Sequence, residues 1–319
     1  MPSARYHVRE LGPLVPWLER LGVKSGIVLV DKGNPGLQTE CRRFGTSFTS
    51  FDSAEATHLP KAVVVLNDWG GAREMLQDLR RRGVSIISKV EGAQDFRNLD
   101  TIRWKLPYSY SDLVLTQGPY DSLNVPNENI AEVGSIRIES LTSMSESGLM
   151  ESVVRPAVVN YNFSYGTLEW AGFAWMREVA QVMNEGGVTT HVSVHPAATL
   201  ESGVAVPSVW PLELDLETSA TLVSRCSTAI FDMLALGKPV VYYNPHRERA
   251  WADVDWQQAV HVARTPAELK TALTSAIESS NSALESKMRQ QFLQQHFISR
   301  VEGSSAVERT AAAILSVVA

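Results

Sequence analysis

Apolar positions alternate between two periods along this chain. Leu11, Leu14, Val15, Leu18 and Leu21 recur at helical spacing and stop before Gly22, a helix-end signal. Short apolar runs of strand length follow at Gly26–Val30, Ala62–Leu66, Val84–Ser88 and Asp112–Thr116. A helix is predicted over Ala72–Arg82, closed by Gly83, and a shorter strand at Ile130–Gly134. The second half repeats the alternation. Strands are predicted at Ala157–Tyr161, Thr189–Val194 and Pro239–Tyr243, and helices at Leu168–Asn184, Pro211–Leu222 and Ser227–Leu236. Three further helices close the chain, over Ala267–Ser279, Ala283–Phe297 and Val307–Val318.

Strand–helix alternation of this kind predicts parallel sheets covered by helices on both faces. At 319 residues the chain is about twice a typical domain. Two doubly wound, Rossmann-like domains facing across a cleft are therefore expected. The first covers residues 1–145 and the second 155–303. Residues 304–319 form a last helix expected to cross back to the first domain. The polar, Ser- and Glu-rich stretch Leu141–Glu151 reads as the linker. The chain opens on a helix where such a domain normally opens on a strand, so a first strand is expected to be missing.

Composition narrows the class. A hydrophobic fraction of 44% and a charged fraction of 20% belong to an ordinary globular protein. The apolar runs are strand-sized and none would span a bilayer. The N-terminus lacks the apolar segment of a secretory signal. Two cysteines are too few for a disulfide framework or a zinc site. A cytoplasmic protein, peripheral to a membrane at most, is the expectation. Residues 1–140 hold 17 Lys and Arg against 17 Asp and Glu, so the net charge of −6 arises in the second half. That argues against a nucleic-acid polymer lying along the second half.

The segment with most chemical content is Leu222–Asn244. A strand end delivers Ser224–Thr228 into a turn that opens a helix, where unpaired N–H groups favour phosphate. Ser227 and Thr228 add hydroxyl donors, and Asp232, a turn further on, could accept from ribose hydroxyls. Taken alone, Ser227 or Thr228 reads as a helix cap. Ser-Thr-Ala-Ile-Phe-Asp, the Leu-Ala-Leu-Gly-Lys-Pro-Val-Val turn and Tyr242-Tyr243-Asn244 together resemble the donor segment of the CDP-glycerol glycerophosphotransferase family of teichoic-acid and capsule enzymes. The resemblance implies the GT-B fold and a donor diphosphate held by Ser227 and Thr228. The family usually has Asp-Tyr before that pair. This chain has Arg225-Cys226, with Arg225 a further candidate for the phosphates, which leaves the donor open among CDP-, CMP- and UDP-linked compounds.

The same resemblance covers His191–Pro196, a strand ending in His-Pro, and implies that His195 contacts the donor phosphates. Thr167, in Asn160-Tyr-Asn-Phe-Ser-Tyr-Gly-Thr167, stands at a strand–loop–helix junction that approaches those phosphates in GT-B enzymes. In the first half, Glu91-Gly92 occupies the place of the family's His-Gly pair, whose His is the catalytic base. Glu91 can take the acceptor proton in its stead, with Asp95 the second candidate. Helix capping is the competing reading for both. Tyr6-His-Val-Arg-Glu10 looks like the residues that follow the family's first strand, which would let His7 or Arg9 line the cleft.

No phosphate-loop, dinucleotide or metal-protease motif is present, so no cofactor is expected. Asp253-Val-Asp255 reads as solvated loop, which makes the expected chemistry metal-independent. The expectation is a transferase moving a glycosyl or alditol-phosphate group from a nucleotide-activated donor to a hydroxyl acceptor, a glycan by preference. Two alternatives stand beside it. One is an enzyme of the UDP-N-acetylglucosamine 2-epimerase kind, and the other a catalytically inactive GT-B binding module.

Overall fold

The computed structural model describes residues 5–29, 35–46, 48–50, 59–66, 68, 71–91, 108–147, 155–163, 168–195, 198–248, 259–279, 282–297 and 303–318. The described residues form two compact units. The first runs to Ser140 and takes in the chain from Gln294 onward; the second is Leu141–Leu293.

In the first unit the chain enters through helices α1 (Arg5–Leu11) and α2 (Leu14–Arg20). It continues through β1 (Ile27–Leu29), α3 (Pro35–Arg43) and β2 (Phe48–Ser50), with β1 and β2 paired in parallel. Next come β3 (Ala62–Val65), α4 (Gly71–Arg81), β4 (Ser85–Lys89), β5 (Leu113–Thr116), α5 (Pro119–Asn124), β6 (Ile130–Glu132) and α6 (Ile136–Ser147). Strands β3 to β6 form one parallel sheet in sequence order. All four residues of β5 are buried, as expected of a parallel strand covered on both faces. Helix α4 buries Leu76 and Leu79 against Val65, Val84 and Ile86 and turns its arginines to solvent. Gly83 ends it at φ +84°, where an L side chain is strained, and Val84 N–H donates back to Leu79 O.

The second unit begins with β7 (Arg155–Tyr161), a 3-10 turn at Glu169–Ala171, α7 (Gly172–Glu185), β8 (His191–Val194) and β9 (Val206–Pro207). Then follow α8 (Leu212–Thr218), β10 (Ser219–Ser224), α9 (Ala229–Ala235), β11 (Val240–Tyr243), β12 (His261–Ala263), α10 (Pro266–Glu278) and α11 (Ala283–His296), the last ending inside the first unit. Its six parallel strands run in the order β12-β11-β10-β7-β8-β9. Trp175, Val179 and Met183 of α7 pack on Val159, Tyr161, Val223 and Tyr243, and Trp175 Nε1 donates to Tyr243 O at 3.1 Å. Helix α10 starts on a reciprocal cap: Thr265 Oγ accepts from Glu268 N–H, and the Glu268 carboxylate accepts from Arg264 N–H.

The final helix, α12 (Ala306–Val318), lies in the first unit. Ala306, Ala311 and Ile314 share a core with Leu11, Leu14 and Leu18 of the entry helices and with Ile87 and Leu115 of the sheet. Its first amide donates to Glu139 at 2.7 Å, and Arg309 Nε donates to Val133 O at 3.0 Å.

Two doubly wound parallel sheets are thus present, as the periodicity implies, but several local expectations change. Pro211–Leu222 is not one helix. It breaks at Thr218, and Ser219–Ser224 becomes a central strand, because pairing with β7 and β11 outweighs local helical spacing. The stretch read as linker is helical through Ser147. Strands β2, β9 and β12 are short and lack a strand-like apolar run. Among the described residues, no helix is long and apolar enough to cross a membrane.

Gly118 marks a close approach within the first unit. A Cβ there would stand 2.9 Å from the His296 carbonyl carbon and overlap its oxygen outright. Gly118→Ala is therefore expected to destabilise the protein by about 1–3 kcal/mol, the usual range for overpacking. Thermal melting against the wild type checks this, and an unchanged melting temperature would contradict the packing of the α11 end on Gly118.

Candidate functional site

Ligands of doubly wound sheets bind at the carboxyl ends of the strands. In the second unit Ser224, the last residue of β10, pairs in register with Asn160 of β7 and Tyr242 of β11. The chain leaves that edge through Arg225–Thr228 and enters α9. Asn160 Nδ2 donates to Ser224 Oγ at 3.3 Å and to Ser227 Oγ at 2.9 Å, and Ala229 N–H also donates to Ser227 Oγ at 3.3 Å. A hydroxyl has two lone pairs and one proton. With both acceptor positions of Ser227 filled from below, its proton is directed elsewhere. Thr228, half-buried, makes no side-chain cap bond.

Arg225 is committed to this turn. Its Nε and Nη2 donate to Glu248 Oε2 at 3.0 and 2.6 Å, and Nη1 donates to Asn162 O at 2.7 Å. The guanidinium also lies 4.7 Å from the Phe163 ring centroid. Glu248 completes the lock by accepting from Cys226 N–H at 2.9 Å and from the Tyr242 hydroxyl at 3.3 Å. Burial, and then the neighbouring Glu248 carboxylate, push the Tyr242 phenol far up, so it stays a donor. The loop carrying Glu248 is itself fixed: Glu248 N–H donates to Asn244 Oδ1, and Asn244 Nδ2 donates to Glu248 O.

His195 follows β8 directly, and its N–H donates to Tyr161 O at 2.9 Å, beside the Asn162 carbonyl used by Arg225. Burial lowers its pKa, so the neutral imidazole dominates at pH 7. Asp232 sits a turn into α9 at 4% exposure, below the edge. Thr167, and the Asp253–Asp255 run, lie outside the described residues.

In the first unit the corresponding edge carries Glu91, two residues beyond β4. Its Oε1 is 2.7 Å from His7 Nε2. The His7 side chain is 2% exposed and that of Glu91 15%, so Glu91 is the member turned to solvent. The match extends one step further. His7 and Glu10 stand one turn apart on α1, and Lys89 and Glu91 lie on the same side of their strand. Lys89 Nζ pairs with Glu10 Oε1 at 3.1 Å and donates to Gly134 O at 2.5 Å. Glu10 also accepts from the amides of Ile136 and Arg137 and from Ser135 Oγ, capping α6. Burial would raise the Glu10 carboxyl, but Lys89 and those amides outweigh it and hold it below the usual range. Behind Glu91, its own N–H donates to the Tyr108 hydroxyl at 3.1 Å, and Gln117 Nε2 donates to Val90 O at 2.8 Å. Asp95 lies outside the described residues.

The structure thus gathers Ser227, Thr228, Arg225 and His195 at one sheet edge and pairs Glu91 with His7 at the other unit's edge. Sequence reasoning left Asn160, Glu248 and Tyr108 without a role. None has a local signature, because each acts on a partner at least 17 residues away.

No protein-family model and no curated protein matches this chain. Solved structures do. A variant of the wall teichoic acid polymerase TagF superposes with a TM-score of 0.62 at 11% identity, over 97% of this chain and 85% of that one. The calicheamicin glycosyltransferase CalG4 gives 0.54 at 13% identity, over 99% and 96%. A protein described as a putative UDP-N-acetylglucosamine 2-epimerase, from Listeria monocytogenes, gives 0.65 at 12% identity, over 98% and 94%. The chain has the GT-B fold.

Two outcomes follow from the electrostatics. Glu248→Ala would leave the Arg225 charge buried without its partner, and is expected to lower stability by about 3–5 kcal/mol. Arg225→Met combined with Glu248→Met should recover much of that loss. Urea unfolding of both variants checks this, and a single variant as stable as the double one would show that the pair does not hold the turn. The second outcome concerns Asp121, whose carboxyl is pushed up to about 7, chiefly by burial, against the pull of the Gln117 amide and Lys89. The folded state holds this proton more tightly than the unfolded state, so stability falls as pH rises from about 4 to about 7. Asp121→Asn should flatten that slope and gain stability at pH 8, up to ~4 kcal/mol. Melting temperatures across pH 4–8 decide the point, and a wild-type profile that rises over this window would contradict the shift.

Proposed function

We propose that this chain is a transferase that moves a glycosyl or alditol-phosphate group from a nucleotide-activated donor to a hydroxyl acceptor. The observation that carries the reading is the hydrogen-bonded edge around Ser227. Asn160 and the start of α9 saturate its lone pairs and turn its proton toward a ligand. A phosphate oxygen accepts such a bond well, and the Thr228 hydroxyl adds a second donor. His195 supplies a neutral N–H donor at the neighbouring strand end, and a bound phosphate would oppose the burial that disfavours its protonated form. Arg225 acts at one remove, by fixing the turn through Glu248, and Thr167 is assigned to the same donor site. The donor is CDP-, CMP- or UDP-linked.

Glu91 is assigned as general base. It takes the proton from the acceptor hydroxyl as that oxygen attacks the donor, while His7 holds the carboxylate in place. Ser227, Thr228 and His195 meet the charge that develops on the departing phosphate. Asp95 stands next in line for the base. Support also comes from similar structures whose names are those of a polymerase and a glycosyltransferase. The epimerase likeness favours a second reading on the same fold. An epimerase needs no acceptor, so conversion of UDP-N-acetylglucosamine by the chain alone would replace the transferase reading.

The test pairs two variants. Thr228→Val should weaken binding of CDP or UDP by about 1–3 kcal/mol, read by thermal shift or calorimetry. Glu91→Gln should leave that binding intact and cut turnover about 10²–10⁴-fold. Unchanged nucleotide affinity in Thr228→Val would remove the donor site from this edge. Near-normal turnover in Glu91→Gln would remove the base from this carboxylate.

A further inference from the structure

Asp68 stands three residues beyond Val65 of β3, and Glu91 three beyond Ser88 of β4. Val65 and Ser88 are partners in register. The two carboxylates therefore leave adjacent parallel strands at the same level. Tyr108 ties the two chain ends together: its hydroxyl accepts from Glu91 N–H at 3.1 Å and donates to Leu66 O at 3.3 Å. Tyr108 is fully buried and sits at φ +62°, a conformation unfavourable for a side chain of its size.

Asp68 itself has no exposed surface, and among the described residues neither of its oxygens has a hydrogen-bond partner. Buried polar side chains are nearly always paired, and a bare carboxylate is among the groups least tolerant of that state. Lys89, on the neighbouring strand, is engaged by Glu10 and the Gly134 carbonyl. A group that completes Asp68 can do so by donating hydrogen bonds to its oxygens.

We propose that Asp68 is a second acceptor-binding carboxylate beside Glu91, taking a hydroxyl of a polyol acceptor next to the hydroxyl that reacts. This rests on the assignment of Glu91 to the acceptor side. One hydroxyl loses its proton to Glu91 while its neighbour donates to Asp68, which fixes which oxygen attacks. A monohydroxyl acceptor fills one position and leaves Asp68 bare, so the arrangement selects sugars and alditols over simple alcohols. Asp68 contributes orientation and acceptor binding, not proton transfer.

Ligand-observed saturation-transfer NMR with glucose, N-acetylglucosamine and glycerol 3-phosphate as probes tests this on the full chain. At least one probe should bind the wild type and Glu91→Gln, and its affinity should fall about ten- to a hundredfold in Asp68→Ala. Melting temperature gives the second reading. Asp68→Asn should melt no lower than wild type, because among the described residues neither oxygen has a hydrogen bond to lose, whereas a structural role would make it melt lower. Binding of no probe to the wild type overturns the proposal, as does equal binding to Asp68→Ala. The two assignments fail separately. If Glu91→Gln keeps full turnover while Asp68→Ala loses the probe, the base is misplaced and the binding carboxylate stands. If Glu91→Gln loses turnover while Asp68→Ala binds normally, the reverse holds.

Discussion

The second unit depends on one buried ion pair, Arg225 with Glu248, whose side chains are 4% and 2% exposed. Neither charge would be stable there alone. Together they bond each other and draw in the Asn162 carbonyl, the Cys226 amide and the Tyr242 hydroxyl. Those groups belong to the ends of β7, β10 and β11, so a single pair fixes three adjacent strand ends. The desolvation of such a pair can cancel its Coulomb attraction, so its contribution is best seen as geometric. It sets the path of Arg225–Thr228, and that path decides where the Ser227 proton points. An Arg at this position looks, from the residues alone, like a phosphate ligand. Its donors are instead turned inward.

The first unit solves the same problem with different residues. Lys89 and Glu10 form a buried pair that seats α1 on the sheet and caps α6 in one step. Because His7 stands one turn before Glu10 and Glu91 two residues after Lys89, seating one pair brings the other together. The His7–Glu91 contact is therefore a consequence of the Glu10–Lys89 anchor. In both units a buried, hydrogen-bonded charge pair lies near the strand ends that the proposed function assigns to a ligand. Rigidity below and chemical capacity above are two aspects of one arrangement.

These two arrangements were unequally visible in the sequence. The turn at Ser227 and Thr228 was legible because a helical run begins there and Gly237 closes it. Glu91 was legible because it follows a buried run and precedes a glycine. Ser219–Ser224 was misread as helix because Leu212, Leu216 and Ser219–Ala220 continue a helical spacing, and only pairing with β7 and β11 decides otherwise. The stretch after Leu141 was misread as linker because serine favours turns and caps over helix interiors. What starts that helix is Glu10, more than 100 residues earlier in the chain. Interactions of that range leave no periodicity or motif behind, and Glu248, Asn160 and Tyr108 were invisible for the same reason.

The fold itself does not choose the chemistry. Structures named for a polymerase, a glycosyltransferase and an epimerase superpose on this chain with TM-scores of 0.62, 0.54 and 0.65, values too close to rank one activity above another. On the reading proposed above, the choice of which proton is removed falls to the first unit's edge. There the sequence departs from the His-Gly pair of the CDP-glycerol family, placing a carboxylate with an imidazole behind it. A carboxylate can only accept when ionised, and the buried His7 is placed to hold it, so the pair suits taking a proton from a substrate hydroxyl. In the same unit Asp68 is a second carboxylate, and among the described residues its oxygens have no partner. On the proposed assignments of Glu91 and Asp68, this edge fits an acceptor polyol better than water, and transfer better than hydrolysis.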